Sequence, residues 1–291
     1  AAESNLIKKG YADSSIDLSE MQLVYFMNHV NVDPLGNYTK DTSDTDMTNI
    51  DLFKKGGSSK AAVSFLSKWT GPVLEAQAPL IDTCTIPSSE YDAYYEQVNN
   101  TTLGQDLCAN SSSWHFKGAK FCDYDIDHID NVKELITNYG GVSMAYYSAD
   151  GNGYTKFFED GDDLSYYFPY KAAANHAVEL IGWDDNYPAS NFKQTPAGNG
   201  AWLMKQSWGT NFVDNNGTHG SGYFWLSYYD KTICEIIALE YDSKDTYANM
   251  YAYDGGMTNL ALAGYGGTTY FNIYEAKAYG KGTVEKIDGI M

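Results

Sequence analysis

Up to about residue 140, apolar side chains recur at helical spacing. Ala2, Leu6 and Ile7 share one face of a pattern that stops at Gly10, a residue suited to the left-handed position after a helix, so the chain opens inside a helix. Ser19 with Gln22 forms a capping box for a second helix carrying Leu23, Val24, Phe26 and Met27. Ala62, Phe65, Leu66 and Trp69 mark a third, which ends at Gly71-Pro72. From about Cys84 to Asp125 the pattern gives way to Ser, Asn, Asp and Tyr, an excursion with little regular structure of its own. One more helix places Val132, Leu135, Ile136 and Tyr139 on one face and stops at Gly140-Gly141.

Beyond Gly141 the period shortens to that of strands: Val142 to Tyr147, His176 to Trp183, Ala201 to Gln206, Tyr223 to Tyr228 and Ile233 to Tyr241. A helical part followed by a strand-rich part is the signature of an α+β fold and not of alternating βαβ units. The expected division is a helical lobe over residues 1–126 and a strand-rich lobe over 127–242. Asp242 to Thr246 reads as a linker. Met250 to Tyr253, Thr269 to Tyr274 and Val284 to Ile290 suggest an all-β module over 247–291 that the end of the chain cuts short.

Composition narrows the function. A formal net charge of −19 over 291 residues repels phosphate backbones and anionic membrane surfaces, so nucleic acid is not an expected partner. No apolar run reaches the roughly 20 residues that span a bilayer. The 26 tyrosines, with many Gly and Asn, suit short strands and wet surfaces and point outside the cell. Cys84, Cys108, Cys122 and Cys234 permit two disulfides in three connectivities, with Cys108–Cys122 favoured because the two bracket one looped segment.

His176 heads a strand whose alternate residues Val178 and Leu180 share its face, which puts an imidazole where a buried wall meets a cleft. Gln206 closes another strand, just before Ser207-Trp208-Gly209. If the strands are neighbours, its amide oxygen accepts the second ring N–H and fixes the tautomer, while Trp208 covers that bond from water. His29, His115, His128 and His219 read as structural or solvated, and Glu179, on the face opposite His176, as a paired and partly buried acid. The acidic runs Asp41 to Asp46 and Glu159 to Asp163 lack EF-hand spacing and read as solvated loops. Asn37, Asn100 and Asn216 head glycosylation-type triplets, a pattern of little specificity. No metal site or cofactor fingerprint is found.

Asn175-His176-Ala177-Val178 with Gly182-Trp183, Lys205-Gln206-Ser207-Trp208-Gly209 and Gly222-Tyr223-Phe224 resemble, in order and spacing, the His and Asn motifs of papain-like cysteine peptidases. Leu18 to Val24 is similar to the segment after that family's nucleophile helix. The resemblance covers residues 1 to 240 and is closest to the branch on bacterial surfaces, in which a lectin-like domain follows. It implies a two-lobed fold with an antiparallel β-barrel-like lobe, a secreted or cell-surface location, peptide or protein substrates, and glycan or cell-wall contact through residues 247–291. It implies His176 as general base and acid, Gln206 as orienter and Trp208 as cover. The nucleophilic Cys-Trp is then expected upstream of Ala1, about two helical turns away, so that this chain alone is inactive. Two departures stand out: Gln206 where the family has Asn, one methylene longer, and a nucleophile-to-histidine separation lengthened by the Cys84 to Cys122 excursion beyond roughly 130 to 150 residues. The alternative is a non-catalytic surface protein that binds peptide or glycan on a peptidase-like scaffold.

Overall fold

The computed structural model describes residues 1–23, 57–67, 69, 71–80, 113–149, 154–159, 164–207, 209, 212–213 and 219–246. The expected module at 247–291, the acidic runs at 41–46 and 160–163, and Cys84 and Cys108 lie outside them. The chain divides into two compact units, one of Ala1–Ser15 with Ala119–Glu240 and one of Ile16–Gly118 with Tyr241–Met291. Both units are discontinuous along the chain.

The first unit carries α1 (Ala2–Lys8), α3 (Ile129–Tyr139) and most of an eight-stranded sheet. Gly10 ends α1 as its sequence predicts, with φ +72 and its N–H bonded to the Ile7 carbonyl at 3.0 Å. Gly140, at φ +92 and ψ −158, ends α3, with its N–H bonded to the Ile136 carbonyl at 3.0 Å. The strands are β1 (Trp114–Cys122), β2 (Val142–Tyr146), β3 (Phe158–Glu159), β4 (Ser165–Tyr166), β5 (His176–Asp184), β6 (Ala201–Lys205), β9 (Tyr223–Ser227) and β10 (Cys234–Ser243). Their order is β1-β10-β2-β5-β6-β9-β4-β3, and a separate pair joins β7 (Phe212–Val213) to β8 (His219–Gly220). The register pairs are antiparallel except for the β4–β9 pair.

Alternation decides which residues are inside. Val142, Met144 and Tyr146 of β2, Val178 and Leu180 of β5, Trp202 and Met204 of β6, and Phe224 and Leu226 of β9 form one buried face. Val132 and Ile136 of α3 belong to the same core, which is the helical face the sequence predicts. The register keeps these rows aligned: Val142 faces Leu180, Leu180 faces Met204, and Met204 faces Phe224.

One carboxylate lies deep in this unit. Asp230, 2 % exposed, accepts from the Thr232 N–H (2.9 Å) and hydroxyl (2.6 Å) and from the Phe168 N–H (2.9 Å). Thr232 in turn accepts from the Tyr147 N–H at 2.9 Å, so the acid ties the 168 segment to the end of β2. Burial outweighs these bonds and pushes the carboxyl up from 3.8 to about 6. Because the folded value lies above the unfolded one, the contribution of Asp230 to stability is full below about pH 4 and lost as pH rises to about 6, by up to about 3 kcal/mol. Urea unfolding at pH 4, 5, 6 and 7 checks this: the difference between wild type and Asp230→Asn should change across that window, and parallel profiles would refute it.

The second unit contains α2 (Ser59–Leu66), capped by Ser58, whose side chain accepts from the Ala61 N–H at 3.2 Å. Ser19 caps as expected, since the Gln22 N–H donates to its Oγ at 2.9 Å, but the Gln22 side chain does not complete the box. Its Oε1 accepts from the Val73 N–H at 3.0 Å, beside the Leu18–Leu74 bridge, because tertiary pairing there offers a buried donor. His115, one of the histidines read as structural or solvated, is buried and stacks on Trp69 at 4.1 Å. Burial, and then the Lys244 charge, hold its pKa below the ordinary imidazole value.

Candidate active site

His176 is the first residue of β5 and Tyr146 is its register partner on β2. Asn175 fixes that strand end. Its N–H bonds to the Tyr146 carbonyl (3.1 Å), its Oδ1 accepts from the Ser148 N–H (2.7 Å) and its Nδ2 donates to the Ser148 carbonyl (3.0 Å). The side-chain amide thus extends the ladder one step past the strand and leaves His176 little freedom to shift. The imidazole shares the row of Val178 and Leu180 and meets the Tyr146 ring edge to face at 5.8 Å. It is half-buried, and that burial lowers its pKa below the ordinary value, which favours the neutral, proton-accepting ring.

Gln206 follows β6 directly, and its N–H donates to the Gly222 carbonyl at 3.0 Å. It continues the inward row of Trp202 and Met204, and is 7 % exposed. The β5–β6 ladder ends at Glu179–Lys205, and one further step sets Gln206 opposite Val178. His176 and Gln206 are therefore diagonal neighbours at the open end of two adjacent inward rows, about 7 Å apart or somewhat less at Cβ. A glutamine side chain spans that distance.

The Trp208 side chain lies outside the described residues, as do those of His29 and His219. His128 pairs with Asp125 at 2.7 Å on the surface, away from any cluster. Glu179 is the paired acid expected: Ser4 donates to it at 2.5 Å, and Lys205 is its register partner. Cys108, and with it the favoured Cys108–Cys122 pair, lies outside the described residues. Cys122 and Cys234 are free thiols, and the Cys122 thiol turns to the Asp123 carbonyl, a local partner that spacing along the chain does not reveal. Burial, and then the adjacent Asp123 and Glu235 carboxylates, push both thiols up, the wrong direction for a nucleophile. The described residues contain no cluster suited to a metal ion and no helix long and apolar enough to cross a membrane.

What sequence reasoning missed is the positioning amide of Asn175, whose place directly before His176 was its only signal. It also missed β1, hidden in the apparent excursion.

Comparison with known proteins bears on the fold and the family. The chain is similar to the solved structure of a clostridial cysteine protease, Cwp84 after propeptide cleavage, with 28% identity and a TM-score of 0.57 over 86% of this chain and 53% of that one. It is likewise similar to the cysteine protease and lectin-like domains of Cwp84, described as a surface layer associated protein of Clostridium difficile, with 27% identity and a TM-score of 0.57 over 84% of this chain and 46% of that one. The chain spans about half the length of these structures. No curated protein matches it. The pattern of the papain family of cysteine proteases matches residues 46–241, more than half of the sequence and the stretch that holds both His176 and Gln206, and the chain belongs to that family.

Proposed function

We propose that this chain is the histidine-bearing part of an extracellular or cell-surface cysteine endopeptidase. The observation that carries the reading is the placement of His176 and Gln206 at the ends of adjacent inward rows in a papain-family domain. The thiol is supplied by the helix that α1 continues, upstream of Ala1. His176 accepts the thiol proton as the thiolate attacks the peptide carbonyl, then returns it to the departing amine, leaving an acyl-enzyme. It next takes a proton from water, whose oxygen attacks the acyl carbon, and returns that proton to the departing thiolate as the acid product leaves. Gln206 orients the ring, and Trp208 shields the pair. Substrates are peptides or proteins, and residues 247–291 give a glycan or cell-wall contact, as the lectin-like domain beside the Cwp84 protease suggests.

The test is hydrolysis of fluorogenic peptides by the protein extended upstream of Ala1, under reducing conditions. Turnover that thiol alkylation abolishes, and that residues 1–291 alone lack, supports the reading. No turnover by the extended protein, with peptide binding intact, favours a binding protein on this scaffold. Turnover by the 291-residue chain alone would contradict the assignment of the nucleophile.

A further inference from the structure

In the first unit, α1 sits in a seat that the reaction chemistry does not by itself require. Asn5, wholly buried, donates from Nδ2 to the Tyr139 carbonyl at 2.9 Å. Gly140 lies against the same turn of α1, where an added Cβ would come within 2.7 Å of the Ser4 carbonyl oxygen. Gly141 faces Glu179, whose carboxylate occupies the space a side chain there would need. Ser4 Oγ donates to that carboxylate, and Glu179 stands on β5 three residues after His176, on the opposite face. Gly140-Gly141, which in sequence is only a helix stop, is thus also the floor on which α1 rests.

We propose that Glu179 is a positioning residue: through Ser4 it fixes the register of α1, and of the nucleophile that continues it, against the strand that carries His176. This rests on the peptidase reading above. An apolar residue at 179 would also seat the helix, but burial energy is non-directional and tolerates sliding. A carboxylate held partly out of water is stable only with its partners in place. It accepts Ser4 at one position along the helix, where one residue is about 1.5 Å. Attack needs the reacting atoms about 3 to 3.5 Å apart, so a shift of that size is costly.

The test uses the protein extended upstream of Ala1, with Glu179→Leu, Ser4→Ala, the double variant and Glu179→Gln. The expected result is a fall in kcat of about ten- to a hundred-fold for Glu179→Leu and Ser4→Ala, with KM little changed. The double variant should be no worse than Glu179→Leu, and Glu179→Gln, which still accepts from Ser4, should recover most of the rate. Amide exchange over residues 2–11 should quicken in Glu179→Leu while β6 and β9 stay protected. Unchanged exchange in α1, or a loosened α1 with unchanged kcat, would overturn the proposal. An extended wild-type protein without peptidase activity would instead remove the functional reading and the positioning role with it, and α1 exchange would still show whether Glu179 holds the helix.

Discussion

His176→Ala lowers kcat/KM for peptide hydrolysis by the extended protein by at least about a thousand-fold while leaving the fold intact. General acid–base transfer contributes about 10² to 10⁴ in rate, and here one imidazole serves as base and then as acid in both steps. The structural loss is small by comparison. The ring is half-buried and its described ring partner is Tyr146, an edge-to-face contact of about 0.5–1.5 kcal/mol. Steady-state kinetics with urea unfolding of the same preparations separates the two effects. A rate loss under ten-fold, or one matched by global unfolding, would remove His176 from the chemistry.

Trp202→Ala costs about 3–5 kcal/mol of stability, the range for truncating a buried tryptophan. Trp202, the second residue of β6, is fully buried opposite Trp183 on β5 and Leu226 on β9. Its Nε1 donates to the Tyr124 hydroxyl at 3.1 Å, its ring lies 4.5 Å from that of Tyr228, and Tyr124 donates to the Tyr228 carbonyl at 2.6 Å. Removing the indole opens a cavity and leaves the buried Tyr124 oxygen short of a donor. Trp202→Phe, which keeps most of the packing, should cost appreciably less. Midpoints of urea unfolding distinguish the cases, and a loss below about 1 kcal/mol for the alanine variant would mean that the core closes around the gap. Because Gln206 extends the same strand, loosening β6 also loosens the candidate site.

Much of this was legible in the chain because alternation and helical spacing are local signals. Val142 to Tyr147, Ala201 to Gln206 and Tyr223 to Tyr228 each lie within a residue or so of an observed strand, and Gly10 and Gly140 end helices where expected. β1 was hidden because Trp114–Cys122 alternates poorly: Lys117, Lys120 and Phe121 are exposed, Gly118 interrupts it, and its place beside β10 rather than its own pattern makes it a strand. β3 and β4, two residues each, give no period to read. The Gln22 side chain left its capping box for Val73, about fifty residues on, a competition that local rules do not contain. The adjacency of His176 and Gln206 was a guess in sequence terms, and the β5–β6 register supplies it. The seat for α1 needed three distant segments at once and had no trace in spacing.

The most direct test of the site is the ring ¹⁵N spectrum of His176 in the 291-residue chain, above its titration, for wild type and Gln206→Ala. If the Gln206 amide accepts one ring N–H, wild type shows a single neutral tautomer, and the variant shows exchange between both. Identical spectra for the two proteins would mean that carboxamide and imidazole do not meet, and the proposed pair would fail.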